Sequence, residues 1–409
     1  MSKNKPFRIL HTADWHIGKQ LHKIDLHEDL NLFFKWLISY IEEQKINVLL
    51  MSGDLFDHAN PSQAALTQYY LFLKELLPLK CKVIITGGNH DSPYVLNAPK
   101  ELLDILDIKV IGGAPEKISD LFVECGDDEH KVIVAAVPFL RDKDIRNSLP
   151  GESYQDKIEL IRKGIEQYFQ NVNEHYNQHY KGTPFIVMAH LYAQGARVSD
   201  SEREIQIGNQ AGVEASVFGD EPDYVALGHI HKPQVVGNNH VRYSGSPIQL
   251  SFSEKEDHKE VVLIEIDDSK LKINPVKIPQ FRKLISFNGT LNEVKTQLEN
   301  HQSKSVLCDL AEITITEENQ NSESVRALED MLTAEPKNNL RILKGKIEFK
   351  NQSKATSDLL ASNEDINDFT PVQLFEKRLG EEENLSIDKS ELISAFKEIL
   401  ETLNAENEK

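Results

Sequence analysis

The sequence predicts an α/β fold followed by a second, smaller α/β domain and a helical tail. Three observations carry that expectation. From Phe7 to about Asp267, short β-rich runs alternate with amphipathic helical stretches. Beyond Asp267 a shorter strand and helix alternation sets in. Residues 351–368 then turn polar and lose periodicity, which reads as a linker ahead of a last helical segment.

Taken in order, strands are expected at residues 8–11, 48–52, 83–86, 132–137, 185–189 and 224–227, each a run rich in β-branched and aliphatic side chains. Between the first two, Leu30, Phe33, Phe34, Leu37, Ile38 and Ile41 recur at three- and four-residue spacing. That is one apolar helical stripe, and core packing accounts for it. A further helix is expected to start at Pro61, with Asn60 as its N-cap and Gln63 completing a variant capping box. In the second domain the expected order is strand 281–287, helix 291–299, strand 305–315, helix 324–332 and strand 341–349. In the tail, Thr370, Pro371 and Gln373 form a helix-start signature, with Phe369, Val372, Phe375 and Leu379 spaced along it. Leu392, Phe396, Ile399 and Leu403 form a second stripe at helical spacing. Residues 352–409 carry 14 acidic and 6 basic side chains, a balance of −8. Two such helices pack back on their own domain or dock on a partner, and composition weighs these evenly.

The 409 residues are 40% hydrophobic and 27% charged, enough to bury a core and unlike a disordered chain. No segment has the apolar length of a membrane span, and residues 1–6 are polar with no signal-peptide core, so the expected compartment is the cytoplasm. Three distant cysteines, Cys81, Cys125 and Cys308, offer neither a disulfide framework nor a zinc knuckle. The net charge of −19 disfavours adhesion to nucleic acid over the whole surface, while leaving room for a local metal-lined or basic groove.

The chemistry-bearing residues sit where expected strands end. Asp14 and His16 follow the first, Gly53-Asp54-Leu55-Phe56-Asp57 the second and Gly88-Asn89-His90-Asp91 the third; His190 ends the fifth, and Gly228-His229-Ile230-His231 the sixth. Ligands of α/β folds collect at such carboxyl edges. A single histidine there is ordinarily a core or surface residue, but five polar clusters, all at strand exits, imply metal. In Asp-x-His and His-x-His, alternate residues of extended backbone point the same way, so both can face one ion. Glycines before Asp54, Asn89 and His229 permit close backbone approach. A mixed carboxylate, amide and imidazole set suits Mn²⁺ or Fe²⁺ better than structural zinc, and manganese is the expected ion.

The ordered set DxH, GDxxD, GNHD, H and GHxH resembles the calcineurin-like metallophosphoesterases. Within them, HTADWHIGK, PFLR at 138–141, YVALGHIHKPQ and RYSGSPIQLSFSE are similar to the bacterial DNA-nuclease subunits, over most of residues 7–266. Archaeal and eukaryotic relatives commonly carry His at the last position of GDxxD. Here Asp57 stands there with His58 next, which favours the bacterial branch, and His58 is given no role. The resemblance implies a sandwich of two mixed sheets flanked by helices (1–275), a small α/β capping domain (276–350), a linker (351–368) and a helical partner-binding tail (369–409). It implies two divalent ions, one held by Asp14, His16, Asp54 and His231 and the other by Asp54, Asn89, His190 and His229, with Asp54 bridging. A water activated between them attacks the phosphodiester. By the same resemblance His90 is catalytic and not a ligand, supporting the pentavalent phosphate or protonating the leaving 3′ oxygen, and Asp91 orients its ring.

The implied function is a manganese-dependent nuclease subunit acting in DNA recombination, repair and replication. It would be a 3′–5′ double-strand exonuclease and a single-strand and hairpin endonuclease, partnered with DNA and with an ATPase subunit, two chains of each. Two rivals stand beside it. A phosphatase or cyclic-nucleotide phosphodiesterase would use the same metals on a small substrate, against which the extra domain and tail argue. A noncatalytic assembly subunit is the other, and the intact ligand set argues against it. Lys19, Arg141, Arg197 and Arg203 are the basic residues nearest the motifs, each individually more typical of a solvated surface. Trp15 is given no role. With so acidic a chain, metals and a few cations would hold the scissile strand while the partner supplies most duplex contact.

Overall fold

The structure is a computed structural model that describes residues 6–126, 130–146, 154–199, 202, 212–267, 270–319, 321–350, 371–381 and 389–407. The expected linker at 351–368, Phe369, Thr370 and Arg203 lie outside the described residues, as do the side chains of Ile399 and Leu403.

Two six-stranded mixed sheets form the body. The first runs, strand beside strand, Lys270–Lys277, Glu260–Asp267, Phe7–Thr12, Val48–Ser52, Lys82–Thr86 and Ile108–Ile111. Its last four strands are parallel and the other pairings antiparallel. The second sheet runs Gln234–Val236, Asn238–Tyr243, Tyr224–Gly228, Phe185–His190, Lys131–Ala136 and Phe122–Gly126, with parallel pairing at its centre and antiparallel edges. This is the sandwich that the resemblance implies. Ile9, Leu50 and Ile84 of the first sheet and Val134, Val187 and Ala226 of the second share one buried core. On the outer face of the first sheet a second core gathers Leu49 and Met51 with Phe33, Phe34 and Phe72 from two helices.

The helix His27–Gln44 buries Leu30, Phe33, Phe34, Leu37 and Ile41, the stripe expected of it. The helix expected at Pro61 begins instead at Gln63, because the Ser62 hydroxyl accepts the Ala65 N–H at 3.2 Å and so takes the capping role assigned to Asn60. Later elements fall at Leu284–Gly289, Leu291–Asn300, Asp309–Glu317, Ser322–Thr333 and Leu340–Phe349, the three strands forming one small sheet in that order. The tail forms helices Pro371–Glu381 and Lys389–Asn407, whose Phe375 and Phe396 rings stack at 4.1 Å.

By contact density the chain divides into two units. One comprises Met1–Phe287, Leu298–Ile313 and Leu332–Gly345; the other comprises Asn288–Gln297, Thr314–Met331 and Lys346–Lys409. Every residue of the site described next belongs to the first. No helix among the described residues is long and apolar enough to cross a membrane.

Candidate metal centre

The strands that carry the site end together. Thr12, Ser52, Thr86, His190 and Gly228 are the last residues, or the last but for one turn, before each polar cluster. The backbone then leaves extended geometry. Asp14 (φ 54°), His16 (φ 47°), Asp54 (φ 52°) and His229 (φ 103°) all lie at positive φ. Each such residue costs about 1–3 kcal/mol of backbone strain, of the kind that gathers at functional sites. The reason expected for Asp-x-His, alternation along extended backbone, is therefore corrected: left-handed turns bring Asp14 and His16 to one place. Hydrogen bonds hold those turns, with the N–H groups of Asp14, His16 and Ile17 donating to the carbonyls of Gly53, Asp54 and Leu55 at 3.0–3.1 Å. Gly53, at φ 83°, and Gly228 are required by crowding: a Cβ would collide with the His190 ring at the first and with the Ser52 carbonyl at the second.

The donors converge on Asp54. Its Oδ2 lies 3.3 Å from His190 Nε2 and 3.7 Å from His16 Nε2, while its Oδ1 accepts the His90 N–H at 2.8 Å. Asn89 Oδ1 stands 2.9 Å from both His190 Nε2 and His229 Nδ1. His16 Nε2 and His231 Nε2 face each other at 3.1 Å. Asp14 Oδ1 accepts the His229 N–H at 2.8 Å. Three sets of donor atoms lie within 4.8 Å of one another: Asp14, His16 and Asp54; Asp54, His190 and His229; and His16, Asp57 and His90. Asp54 belongs to two of the three.

The electrostatics are those of a centre built for cations. Burial pushes the Asp14 carboxyl up to about 7 and holds the His16 and His229 imidazoles down, to about 4 and about 3. Burial acts against protonated His190 too, but the adjacent Asp54 carboxylate outweighs it and carries that imidazole up to about 9. Against its own burial, Asp54 is held well below the usual carboxylate range, chiefly by His190. A bound divalent cation would replace the His190 proton as countercharge. Three buried polar atoms in this one cluster, Asp14 Oδ2, His90 Nε2 and His229 Nε2, have no hydrogen-bond partner among the described residues. Each would cost about 1–3 kcal/mol if left so. The residues fit a divalent metal.

A family model described as calcineurin-like phosphoesterase matches residues 7–233, which span every one of these donors. The chain belongs to that family. It is accordingly a metal-dependent phosphodiesterase. The D subunit of nuclease SbcCD from Escherichia coli strain K12 is 30% identical, the similarity covering 98% of this chain and 100% of that protein. The protein of the same name in Bacillus subtilis strain 168 is 28% identical over 74% of this chain and 78% of its own. That of Staphylococcus epidermidis is 27% identical over 75% and 80%.

In this phosphoesterase Asn89 and His90 are half-buried, whereas Asp14, His16, Asp54, His190, His229 and His231 are buried. The His90 ring is oriented by a different group from the one expected: its Nδ1 donates to the Asp57 carbonyl at 2.8 Å. Asp91 instead accepts the N–H groups of Leu55, Phe56 and Gly88 at 2.8–3.0 Å, tying the second motif to the third, and burial pushes its carboxyl up to about 6. Trp15 is core, boxed by Phe33, Phe34 and Phe72 and donating to the Thr12 hydroxyl. Lys19 pairs with Asp57 at 3.2 Å, Arg141 donates to the Asp91 carbonyl at 3.0 Å, and Arg197 is exposed.

Sequence reasoning missed three residues. Glu202 accepts the His231 backbone N–H, Glu254 faces the His231 ring and Lys259 pairs with Glu254. Nothing in Glu202's own sequence context marks it. Glu254 closes the phrase RYSGSPIQLSFSE, and an acidic residue ending an otherwise apolar and hydroxyl-bearing run was the available signal.

Proposed function

We propose that this phosphoesterase is a manganese-dependent DNA nuclease subunit, a 3′–5′ exonuclease on duplex ends and an endonuclease on single strands and hairpins. It works in the cytoplasm with an SbcC-type ATPase, two chains of each, in DNA recombination, repair and replication. One observation carries the reading: similarity to a named nuclease subunit extends over 98% of the chain, well past the end of the family-model match at residue 233. A phosphatase acting on small esters gives no reason for residues 276–350, read as a capping domain, or for a tail at 369–409 to follow that subunit.

In this reading one ion is held by Asp14, His16, Asp54 and His231 and the other by Asp54, Asn89, His190 and His229. Two bound divalent ions would supply a nucleophilic water at neutral pH and clamp the attacking and leaving oxygens of an in-line displacement. The chain's own part is positional and protonic. Asp54 joins the two donor sets, and the His90 N–H bond to its Oδ1 leaves Oδ2 to them. His90, whose Nδ1 donates to the Asp57 carbonyl, turns Nε2 to the phosphate, and carrying a second ring proton there it donates Nε2–H to the oxygen that gains charge.

The deciding assay presents hairpin DNA, duplex DNA, p-nitrophenyl phosphoesters and cyclic nucleotides to the purified chain with Mn²⁺, with and without the co-expressed ATPase. Cleaved hairpins and resected ends are expected. Turnover of small esters with intact DNA in both preparations would overturn the nuclease reading in favour of the phosphatase.

The tail gives a separate expectation. Deleting residues 365–409 removes no proposed ligand, since none lies beyond His231. The truncated chain should stay soluble, keep manganese-dependent cleavage and cease to copurify with the ATPase. Retained copurification would refute the docking role, and an insoluble product would favour the helices completing their own domain.

A further inference from the structure

The two imidazoles that face each other across 3.1 Å are backed in the same way. Behind His16, Nδ1 lies 3.2 Å from Asp57 Oδ1, and that oxygen lies 3.2 Å from the Lys19 ammonium. Behind His231, Nδ1 lies 3.3 Å from Glu254 Oε1, and Glu254 Oε2 lies 2.6 Å from the Lys259 ammonium. Glu254 is 0% exposed and Lys259 7%, a buried pair in which truncating either partner leaves a charge uncompensated, whereas buried Asp57 is paired with a half-buried Lys19. Lys259 is fixed on three sides, donating also to the His231 carbonyl at 2.9 Å and to the Ser246 hydroxyl at 2.8 Å. Glu254 is fixed as well, accepting the Leu250 N–H at 3.2 Å. The two assemblies reach the centre from different parts of the chain, one from the loops after the first two strands and one from residues 231–259.

A carboxylate salt-bridged to a lysine only accepts hydrogen bonds, so the ring proton in each assembly sits on Nδ1. Both Nε2 atoms are thereby turned towards the space between the rings. At 3.1 Å two bare Nε2 lone pairs would repel, so this approach suits a cation held between the rings. We infer that Asp57–Lys19 and Glu254–Lys259 are twin positioning pairs that fix His16 and His231 as Nδ1–H tautomers, presenting two Nε2 donors to a single divalent ion. The inference rests on the reading of His16 and His231 as ligands of one ion. It gives Asp57 a role behind a ligand, where proximity alone would equally let Asp57 join His16 and His90 as a direct donor.

The test is metal binding and ring tautomer in the full chain, followed apart from turnover. Mn²⁺ affinities are measured by chelator competition, and ¹⁵N-histidine spectra are recorded on protein loaded with diamagnetic Zn²⁺. Glu254→Gln and Asp57→Asn keep shape but abolish the obligate acceptor. Each should weaken one of the two ions about 10–100-fold and leave the other unchanged, the usual range when the partner of a metal-bound histidine is lost. Glu254→Gln should cost His231 alone its single Nδ1–H form, and Asp57→Asn should do so for His16 alone. Unchanged tautomers and affinities overturn the inference. Loss of an ion in Asp57→Asn with the His16 tautomer intact makes Asp57 a direct ligand and also overturns it. Should Glu254→Gln fail to fold with Lys259 left unpaired, Glu254→Gln with Lys259→Met removes both charges and is read in the same way. His231→Ala separates the two levels. If it leaves both affinities intact, the ligand reading itself falls; if it loses one ion while Glu254→Gln loses none, only the positioning inference falls.

Discussion

Asp54→Asn is expected to bind fewer than two ions per chain and to lose at least about 10³ in hydrolysis while keeping the fold. Oδ2 of Asp54 is within 3.3 Å of His190 and 3.7 Å of His16, so a single carboxylate serves both donor sets. Asparagine keeps the shape and an oxygen but removes the charge. Several kcal/mol of charge stabilisation vanish with it, and every 1.36 kcal/mol is tenfold in rate. Folding is expected to survive, because without metal Asp54 is a buried charge balanced mainly by protonated His190, and the substitution removes a charge from the interior. The imidazole then titrates lower: with its Asp54 partner neutral, burial again dominates and His190 should drop from its raised position near 9. Metal analysis, a DNA cleavage rate and an NMR titration of His190 check the three parts. Two ions per chain with normal cleavage would end the bridging assignment.

How much of this centre was legible follows from which constraints act along the chain and which act across it. Strands such as Val48–Ser52 and Tyr224–Gly228 are buried on both faces, so they read as continuous apolar runs, and the polar residues after them stand out. That contrast marks the clusters that hold Asp14, His16, Asp54, Asn89, His190, His229 and His231, while their assignment as ligands rests on the resemblance. The conformation of the loops was not legible. Positive φ at Asp14, His16, Asp54 and His229 belongs to residues that rarely adopt it, and it is imposed by hydrogen bonds to the neighbouring strand's loop and by the crowding at Gly53 and Gly228. Asp91 was misread for a related reason: next to His90 in sequence, it faces away to gather three amides 3 to 36 residues distant. Glu254 and Lys259 reach His231 from 23 and 28 residues away, a distance at which no local pattern announces a partner. The helix cap moved from Asn60 to Ser62 because two adjacent capping residues flank Pro61, and only the observed hydroxyl geometry chooses between them.

His90→Ala should divide binding from chemistry. His90 is half-buried, and its Nδ1 is spent on the Asp57 carbonyl at 2.8 Å, so Nε2 is the ring's one atom left for substrate. Removing the ring takes no donor from either proposed ion, and both should remain at wild-type stoichiometry with DNA affinity little changed. The cleavage step should fall by about 10²–10⁴, the usual weight of a positioned proton donor or acceptor. Single-turnover rates on prebound DNA measure that loss free of binding, and added imidazole should restore part of it because the cavity left by the side chain opens beside the reacting phosphate. The competing geometry is real: the His16 and His90 rings lie 4.8 Å apart, and His90 shares a donor cluster with His16 and Asp57. Were His90 a ligand, the alanine variant would lose one ion together with its activity, and exogenous imidazole would act by restoring the metal content. Metal analysis of the rescued and unrescued variant therefore distinguishes a ring that works on the phosphate from one that holds the cation.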